Sequence, residues 1–110
     1  MEMVCSIVIA TEFSDAPGAR YYTDGPKSGQ EFYETLLKTR FEQALDLNGY
    51  LLIDFDNVWG YPSSFIGGAF GRLSQEFGAD VVLKHLQYKS DRNPLIIDKV
   101  VSEIRKPAYK

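Results

Sequence analysis

Residues 51–73 read LLIDFDNVWGYPSSFIGGAFGRL, and this stretch is the strongest indication of the fold class. It begins with an apolar run, Leu51 to Ile53, that does not alternate with polar residues, which predicts a strand covered on both faces. An acidic loop follows, and apolar residues at helical spacing then predict a helix from about Ser64 to Phe77. A strand, a loop and a helix in this order form part of an α/β unit.

Hydrophobic spacing and turn residues extend this reading to the rest of the chain. Ser28, with Glu31 three residues later, forms a capping-box pattern that starts a helix, and Asn48-Gly49 ends it. The predicted elements are strands at residues 4–10, 19–22, 51–55 and 85–89 and helices at residues 28–47, 64–77 and 93–107. The order β-β-α-β-α-β-α predicts one α/β domain over residues 1–110, with a mixed sheet of about four strands and three main helices.

Composition excludes several classes of function. The net charge is −3 and the basic residues are scattered, which argues against nucleic acid as the partner. No apolar run approaches the ~20 residues of a membrane span, and the N-terminus does not resemble a signal peptide, so we expect a cytoplasmic location. The single cysteine, the single histidine and the lack of zinc-type spacing predict no metal, no cofactor and no enzymatic activity.

Two adjacent serines, Ser63 and Ser64, stand at the predicted start of the second helix. Two readings are open for them. In the structural reading they cap the helix, which contributes about 1 kcal/mol. In the functional reading one of them is a phospho-acceptor, because the free N–H groups and the dipole of a helix start favour negative charge.

The acidic loop supplies a second candidate site. Asp54 and Asp56 fall at the carboxyl end of their strand, where ligands of open α/β sheets usually bind. Together with Arg20 they are candidates for contact with an anion or another ligand. Hydrogen bonding within the loop, and a salt bridge for Arg20, are the structural alternatives.

Aromatic residues and glycines surround the two serines and suggest a surface that binds a partner. Trp59 and Tyr61 lie in the loop before the helix, and loop aromatics often carry interface energy. Each glycine within the helix costs about 1 kcal/mol relative to alanine, so the glycines need a reason. Close packing within the domain and a flat docking face are both open. The glycines in question are Gly67, Gly68 and Gly71.

Several short segments, taken in order, resemble the STAS domain of bacterial anti-sigma-factor antagonists, and more closely a bacterial group of STAS-like domains of unknown function. These segments are residues 17–20 (PGAR), 28–32 (SGQEF), 52–56 (LIDFD), 63–65 (SSF) and 69–71 (AFG). The resemblance implies a non-enzymatic protein-interaction domain whose partner kinase phosphorylates a serine at the strand–helix junction, where this chain has Ser63. STAS regulators commonly have an acidic residue before that serine and a glycine two residues after it, where this chain has Pro62 and Phe65.

The sequence therefore predicts a regulatory protein-binding domain in a bacterial cytoplasm. The resemblance implies that its partner is a histidine-kinase-like ATPase or a related switch protein of the anti-sigma type. The rival hypothesis is a small enzyme or nucleotide-binding domain with a pocket formed by Arg20, Asp54 and Asp56. A structural oligomerisation domain is a third hypothesis, and a homo-oligomer is compatible with all three.

Overall fold

The computed structural model, which describes residues 1–106, contains three strands in a single sheet: β1 (Met3–Val8), β2 (Tyr50–Asp54) and β3 (Leu86–Lys89). They lie side by side in this order, and both pairings are parallel. Parallel neighbours need long connections that cross over the sheet, which is why helices lie between the strands along the chain. The prediction of an α/β domain is confirmed, whereas the sheet is parallel rather than mixed.

Five helices accompany these strands within the described residues. The two longest have a π-helical turn in the middle. The helices are α1 (Ile9–Glu12), α2 (residues 29–46, with its π turn at Tyr33–Leu37), α3 (residues 63–77, with its π turn at Gly67–Gly71), α4 (Ala79–His85) and α5 (Leu95–Arg105). The three main helices that we predicted correspond to α2, α3 and α5. The predicted end of the third helix at Pro107 lies outside the described residues.

The two faces of the sheet differ in their burial. Leu51 and Ile53 of β2 point into the core and are fully buried, while Leu52 between them is only half-buried. The prediction that this strand is covered on both faces is therefore wrong. The core face of the sheet also carries Ile7 and Leu86, and the opposite face carries Ser6, Leu52, Asp54, Gln87 and Lys89.

The second predicted strand, at residues 19–22, is not formed. The carbonyl oxygens of Ala19 and Arg20 accept hydrogen bonds from the backbone N–H groups of Gly29 and Gln30, at 2.8 and 2.9 Å. These N–H groups belong to the first turn of α2, which has no helical partners for them. The carbonyl groups of this segment thus bind the free N–H groups at the start of α2 and are unavailable for pairing with a strand.

Side chains occupy the outer edge of β1, where the missing strand would have paired. The Arg40 guanidinium donates to the carbonyl oxygen of Ser6 at 2.8 Å, and the Glu12 carboxylate accepts from the N–H of Val8 at 2.7 Å. Arg40 and Glu12 also form a salt bridge of 3.0 Å with each other. We call this pair the edge plug, because it satisfies backbone groups that an additional strand would otherwise bind.

Local signals place the ends of α2 as predicted. The Ser28 hydroxyl accepts a hydrogen bond from the N–H of Glu31 at 3.0 Å, which makes Ser28 the N-cap. Asn48, just after the helix, has a positive φ of 52°. At the other end of α2, Gly29 lies against the backbone of Phe65 and Ala69, so that a Cβ atom at this position would collide with α3. This close approach fixes the start of α3 relative to α2.

Within the described part of the chain, no helix is both long enough and apolar enough to cross a lipid bilayer.

Candidate functional site

The carboxyl ends of β2 and β3 border a cleft of about 460 Å³, which we call the acid cleft. It lies between the loop that follows β2 and the loop that follows β3, at the edge of the sheet where ligands of parallel α/β folds usually bind. The residues lining it are Asp15, Phe55, Asp56, Asn57, Val58, Trp59, Gly60, Tyr61, Arg92 and Asn93.

Asp56 is the most constrained residue of the acid cleft. Its carboxylate is only 7% exposed and accepts three hydrogen bonds, from the Lys89 ammonium at 2.9 Å and from the backbone N–H groups of Asp91 and Arg92, both at 3.1 Å. The hydrogen bond from Lys89, and then those from the two N–H groups, lower the pKa of Asp56 to about 2. Asp56 is therefore ionised at neutral pH and ties the two loops together.

Lys89 is the cation at the centre of three carboxylates. Besides Asp56, its ammonium lies 3.1 Å from Asp91 and 3.9 Å from Asp54. Asp54 also accepts a hydrogen bond from the backbone N–H of Asp56 at 2.9 Å, which closes a local turn. Our sequence reading did not single out Lys89 or Asp91. Asp54 and Lys89 are partners in the register of β2 and β3. Pairing of these two strands in the correct register would therefore have revealed this cluster from the sequence.

The two loop aromatics have different environments. Tyr61 is half-buried, donates a hydrogen bond from its hydroxyl to the Phe55 carbonyl oxygen at 2.7 Å, and packs against the Phe55 ring. Burial raises the pKa of this hydroxyl. Trp59 is 89% exposed, although its backbone N–H is anchored to the Asp15 carbonyl oxygen at 2.8 Å. Tyr61 is thus part of the domain's own packing, whereas the side chain of Trp59 is presented to solvent.

Ser63 and Ser64 lie in the first turn of α3, but neither one caps the helix. The N-cap is Pro62, whose carbonyl oxygen accepts from the N–H groups of Phe65 and Ile66, and no side chain caps this end. The capping interpretation of the two serines is therefore wrong. Ser63 is exposed and Ser64 is half-buried. Ser63 borders a cleft of about 350 Å³ between α3 and α5, which is also lined by Ile66, Asp98, Lys99, Ser102, Glu103 and Lys106.

The glycines of α3 are buried against the domain's own residues. A Cβ atom at Gly67 would lie 2.5 Å from Nη1 of Arg20, and one at Gly68 would lie 2.6 Å from the Arg20 carbonyl oxygen. At Gly71 it would lie 3.2 Å from a carboxylate oxygen of Glu103. Our hypothesis that these glycines form an open docking face does not agree with this geometry, which corresponds to the close-packing alternative.

Arg20 lies in a third, smaller cleft of about 280 Å³, which we call the arginine cleft. Its lining residues are Arg20, Tyr21, Gly67, Gly71, Gln75, Glu103 and Lys106. It shares none of them with the acid cleft. The rival hypothesis placed Arg20 with Asp54 and Asp56 around a single pocket, and the structure does not bring these residues together.

Neither His85 nor Cys5 forms a hydrogen bond with a side chain that could act with it in catalysis, among the described residues. Nδ1 of His85, which is buried, lies 2.6 Å from the Gly49 carbonyl oxygen, and the Cys5 thiol donates to the Arg40 carbonyl oxygen at 3.4 Å. Burial raises the pKa of the Cys5 thiol, which disfavours the nucleophilic thiolate. Over residues 1–106 no group of three or more His, Cys, Asp or Glu side chains is arranged to hold a metal ion.

Comparison with known protein families places the chain. A family model described as a STAS-like domain of unknown function matches residues 28–95, which run from the N-cap of α2 to the first residue of α5. No curated protein and no solved structure gives a significant match. The matched segment covers more than half of the chain and contains β2 with the loop that follows it, α3 and β3, and therefore Asp56, Ser63 and Lys89. The chain therefore belongs to the family of STAS-like domains of unknown function.

Proposed function

We propose that this domain is a regulatory protein-binding module that acts by partner switching in a bacterial cytoplasm. Its partner, suggested by the relation to STAS regulators, is a histidine-kinase-like ATPase or a related anti-sigma-type switch protein. The domain itself contributes a binding surface and no catalysis. Trp59 and Ser63 are the two residues that we assign to this surface.

The observation that carries the proposal is the exposure of Trp59 on an anchored loop. A tryptophan that is 89% exposed leaves a large apolar surface in water, which costs free energy unless a partner covers it. The loop around it is held by the Trp59–Asp15 backbone hydrogen bond, by the Tyr61 hydroxyl and by the three hydrogen bonds to Asp56. A large aromatic on an already ordered backbone loses little backbone entropy on binding, which suits an interface anchor.

Ser63 supplies the proposed control. It is exposed, it follows the Trp59 loop by four residues, and it opens a helix whose first N–H groups favour negative charge. Phosphorylation would add about −1.5 to −2 charges beside this surface. In a complex that covers Trp59, the added charge would have to be desolvated or would repel acidic groups of the partner, and the complex would dissociate.

We expect Trp59→Ala to weaken binding to a purified histidine-kinase-like ATPase from the same host by about 2 kcal/mol or more, or roughly 30-fold. Ser63→Asp should weaken binding as well, while Ser63→Ala should bind like the wild type. Titration calorimetry measures the affinities. The matched control is Leu47→Ala, because Leu47 is another large apolar residue that is 72% exposed, and it lies just after α2, at the opposite edge of the sheet.

Thermal unfolding separates loss of binding from loss of the fold. None of these substitutions removes a buried contact, so the free energy of unfolding should change by about 0.5 kcal/mol or less. Equal affinities for the wild type, Trp59→Ala and Ser63→Asp, all measured on folded protein, would exclude this surface. A turnover that is lost in Asp54→Asn, with the fold intact, would instead favour the enzyme hypothesis.

A further inference from the structure

The Arg20 guanidinium occupies space in the arginine cleft that is free only because α3 has glycines beside it. Arg20 is half-buried against α3, where its Nη1 and Nη2 atoms would lie 2.5 and 2.9 Å from a Cβ atom at Gly67. Its own carbonyl oxygen occupies the corresponding space at Gly68. Glycine at both positions allows the π turn to approach Arg20 this closely, even though each glycine lowers helix stability by about 1 kcal/mol.

This guanidinium has no partner within residues 1–106. No carboxylate oxygen lies within 4.0 Å of it, and its side chain makes no hydrogen bond. Two of the other arginines are paired: Arg40 contacts Glu12 at 3.0 Å, and Arg72 contacts Glu34 at 3.5 Å and lies over the ring of Tyr33. A half-buried charge without a partner is unfavourable, and a planar guanidinium is shaped to bind an oxyanion through two parallel N–H groups.

The charges around Arg20 select the kind of anion. Glu103 lies in the same cleft and is already bound to Lys106 at 2.8 Å. Arg20, Glu103 and Lys106 therefore leave one net positive charge, in a chain whose total charge is −3. A single negative charge balances this excess, whereas a dianion would leave the cleft with one net negative charge.

We propose that the arginine cleft binds a carboxylate group, held by two hydrogen bonds from the Arg20 guanidinium. Gln75 and Tyr21 line the cleft and provide a side-chain amide and a hydroxyl beside the bound group. A volume of about 280 Å³ admits a carboxylate with a short side chain attached. The carboxylate belongs either to a free organic acid or to an acidic residue of a protein. This site does not depend on the partner that binds Trp59.

The test is a titration of the folded domain with sodium acetate, followed by the NMR shifts of the Gly67 and Gly71 amides at constant ionic strength. We expect saturable shifts in the wild type and an affinity at least about tenfold lower in Arg20→Gln, since hydrogen bonds to charged groups contribute this much. Arg20→Lys should lose part of the affinity, because an ammonium group cannot form the bidentate pair. The charge-matched control is Arg92→Gln, an exposed arginine of the acid cleft, which should bind acetate like the wild type.

Gly67→Ala is a variant that retains Arg20 but displaces its guanidinium group. The new Cβ atom would meet the mobile end of the side chain, so the guanidinium shifts at little cost to the fold and acetate binding should fall. A triglutamate peptide that binds at least tenfold more tightly than acetate identifies a protein as the source of the carboxylate. Equal affinities for triglutamate and acetate identify a small organic acid as the source. Tighter binding of triglutamate and equal binding both support a carboxylate site at Arg20. Absence of saturable shifts, equal affinities in wild type and Arg20→Gln, or tighter binding of inorganic phosphate than of acetate would overturn the proposal.

Discussion

The acid cleft and the arginine cleft use their charges in opposite ways. In the acid cleft, the nearly buried Asp56 has three hydrogen-bond donors around it, and Lys89 contacts three carboxylates. In the arginine cleft, the Arg20 guanidinium has none of its donors satisfied by the described residues. In the sequence, Asp54 and Asp56 are at the position of a ligand site, but in the structure the charges of the acid cleft hold loops in place. The Arg20 guanidinium, in contrast, still has N–H groups that can bind a ligand.

The contrast between the two clefts indicates which charged residues are available to bind a ligand. A carboxylate at the end of a parallel strand is at the expected location for a ligand, but its location does not show whether its hydrogen bonds are already used. Asp56 has committed its oxygens to Lys89 and to two backbone N–H groups. Arg20 precedes the segment that the family model matches, yet its guanidinium has no hydrogen bond or ion pair within residues 1–106.

Removal of the Asp56 carboxylate from the acid cleft should change stability more than any other substitution considered below. Asp56→Ala should lower the urea midpoint of unfolding clearly, because it leaves the Lys89 ammonium and the N–H groups of Asp91 and Arg92 without their acceptor. Arg20→Gln should change the free energy of unfolding by about 0.5 kcal/mol or less, because it removes no pair. Urea titrations of the two variants beside the wild type measure both. Equal losses of stability in the two variants would contradict the contrast between the clefts.

The change of stability with pH that Asp56 causes should be smaller than the loss of stability on deleting its carboxylate. The pKa of Asp56 is lowered from 3.8 to about 2 in the folded domain, so its contribution is fully present above pH 4. It is lost as the pH falls through about 2, because the native state must then bind a proton. We expect Asp56→Asn to flatten the stability curve between about pH 4 and pH 2, measured by urea unfolding at each pH. Parallel curves for the variant and the wild type would show that Asp56 does not cause this loss.

The edge plug should give the smallest effect on stability, because its side chains are about one third exposed. Partly exposed salt bridges contribute about 0.2–1 kcal/mol, so Arg40→Ala should destabilise the domain only slightly. It should, however, increase self-association at high concentration by freeing the outer edge of β1. Sedimentation velocity at several concentrations measures this association. Arg72→Ala, which breaks a salt bridge on the helical surface, is the control and should remain at the wild-type oligomeric state.

Local signals in the sequence were sufficient for most of the fold. Ser28 and Asn48 predicted the ends of α2, and apolar spacing predicted α3 and α5. The prediction of a strand at residues 19–22 was wrong because the backbone of this segment bonds to residues that are distant in the sequence. The carbonyl groups of Ala19 and Arg20 satisfy a helix start some ten residues later, which no pattern within the segment reveals.

The candidate sites were predicted less well, for a similar reason. Sequence patterns identified Trp59, Asp56 and Arg20 as unusual residues, but their roles depend on partners far along the chain. Lys89 decides what Asp56 does, and Gly67 decides where Arg20 lies. The interpretation of Ser63 as a helix cap failed because Pro62 occupies the N-cap position and Ser63 is already the first residue of the helix.

The fully parallel sheet also has a consequence for the way in which the chain folds. Ile7 pairs with Ile53 and Leu51 with Leu86, and there is no hairpin within the described residues that could bring two strands together early. Each pairing must close a long loop before it gains any hydrogen bonds, and contacts of high sequence separation slow folding. The helices between the strands are the elements that can form from local contacts alone. We therefore expect α2 and α3 to dock first, through Gly29 and the Phe32–Phe65 contact, and the sheet to assemble on them afterwards.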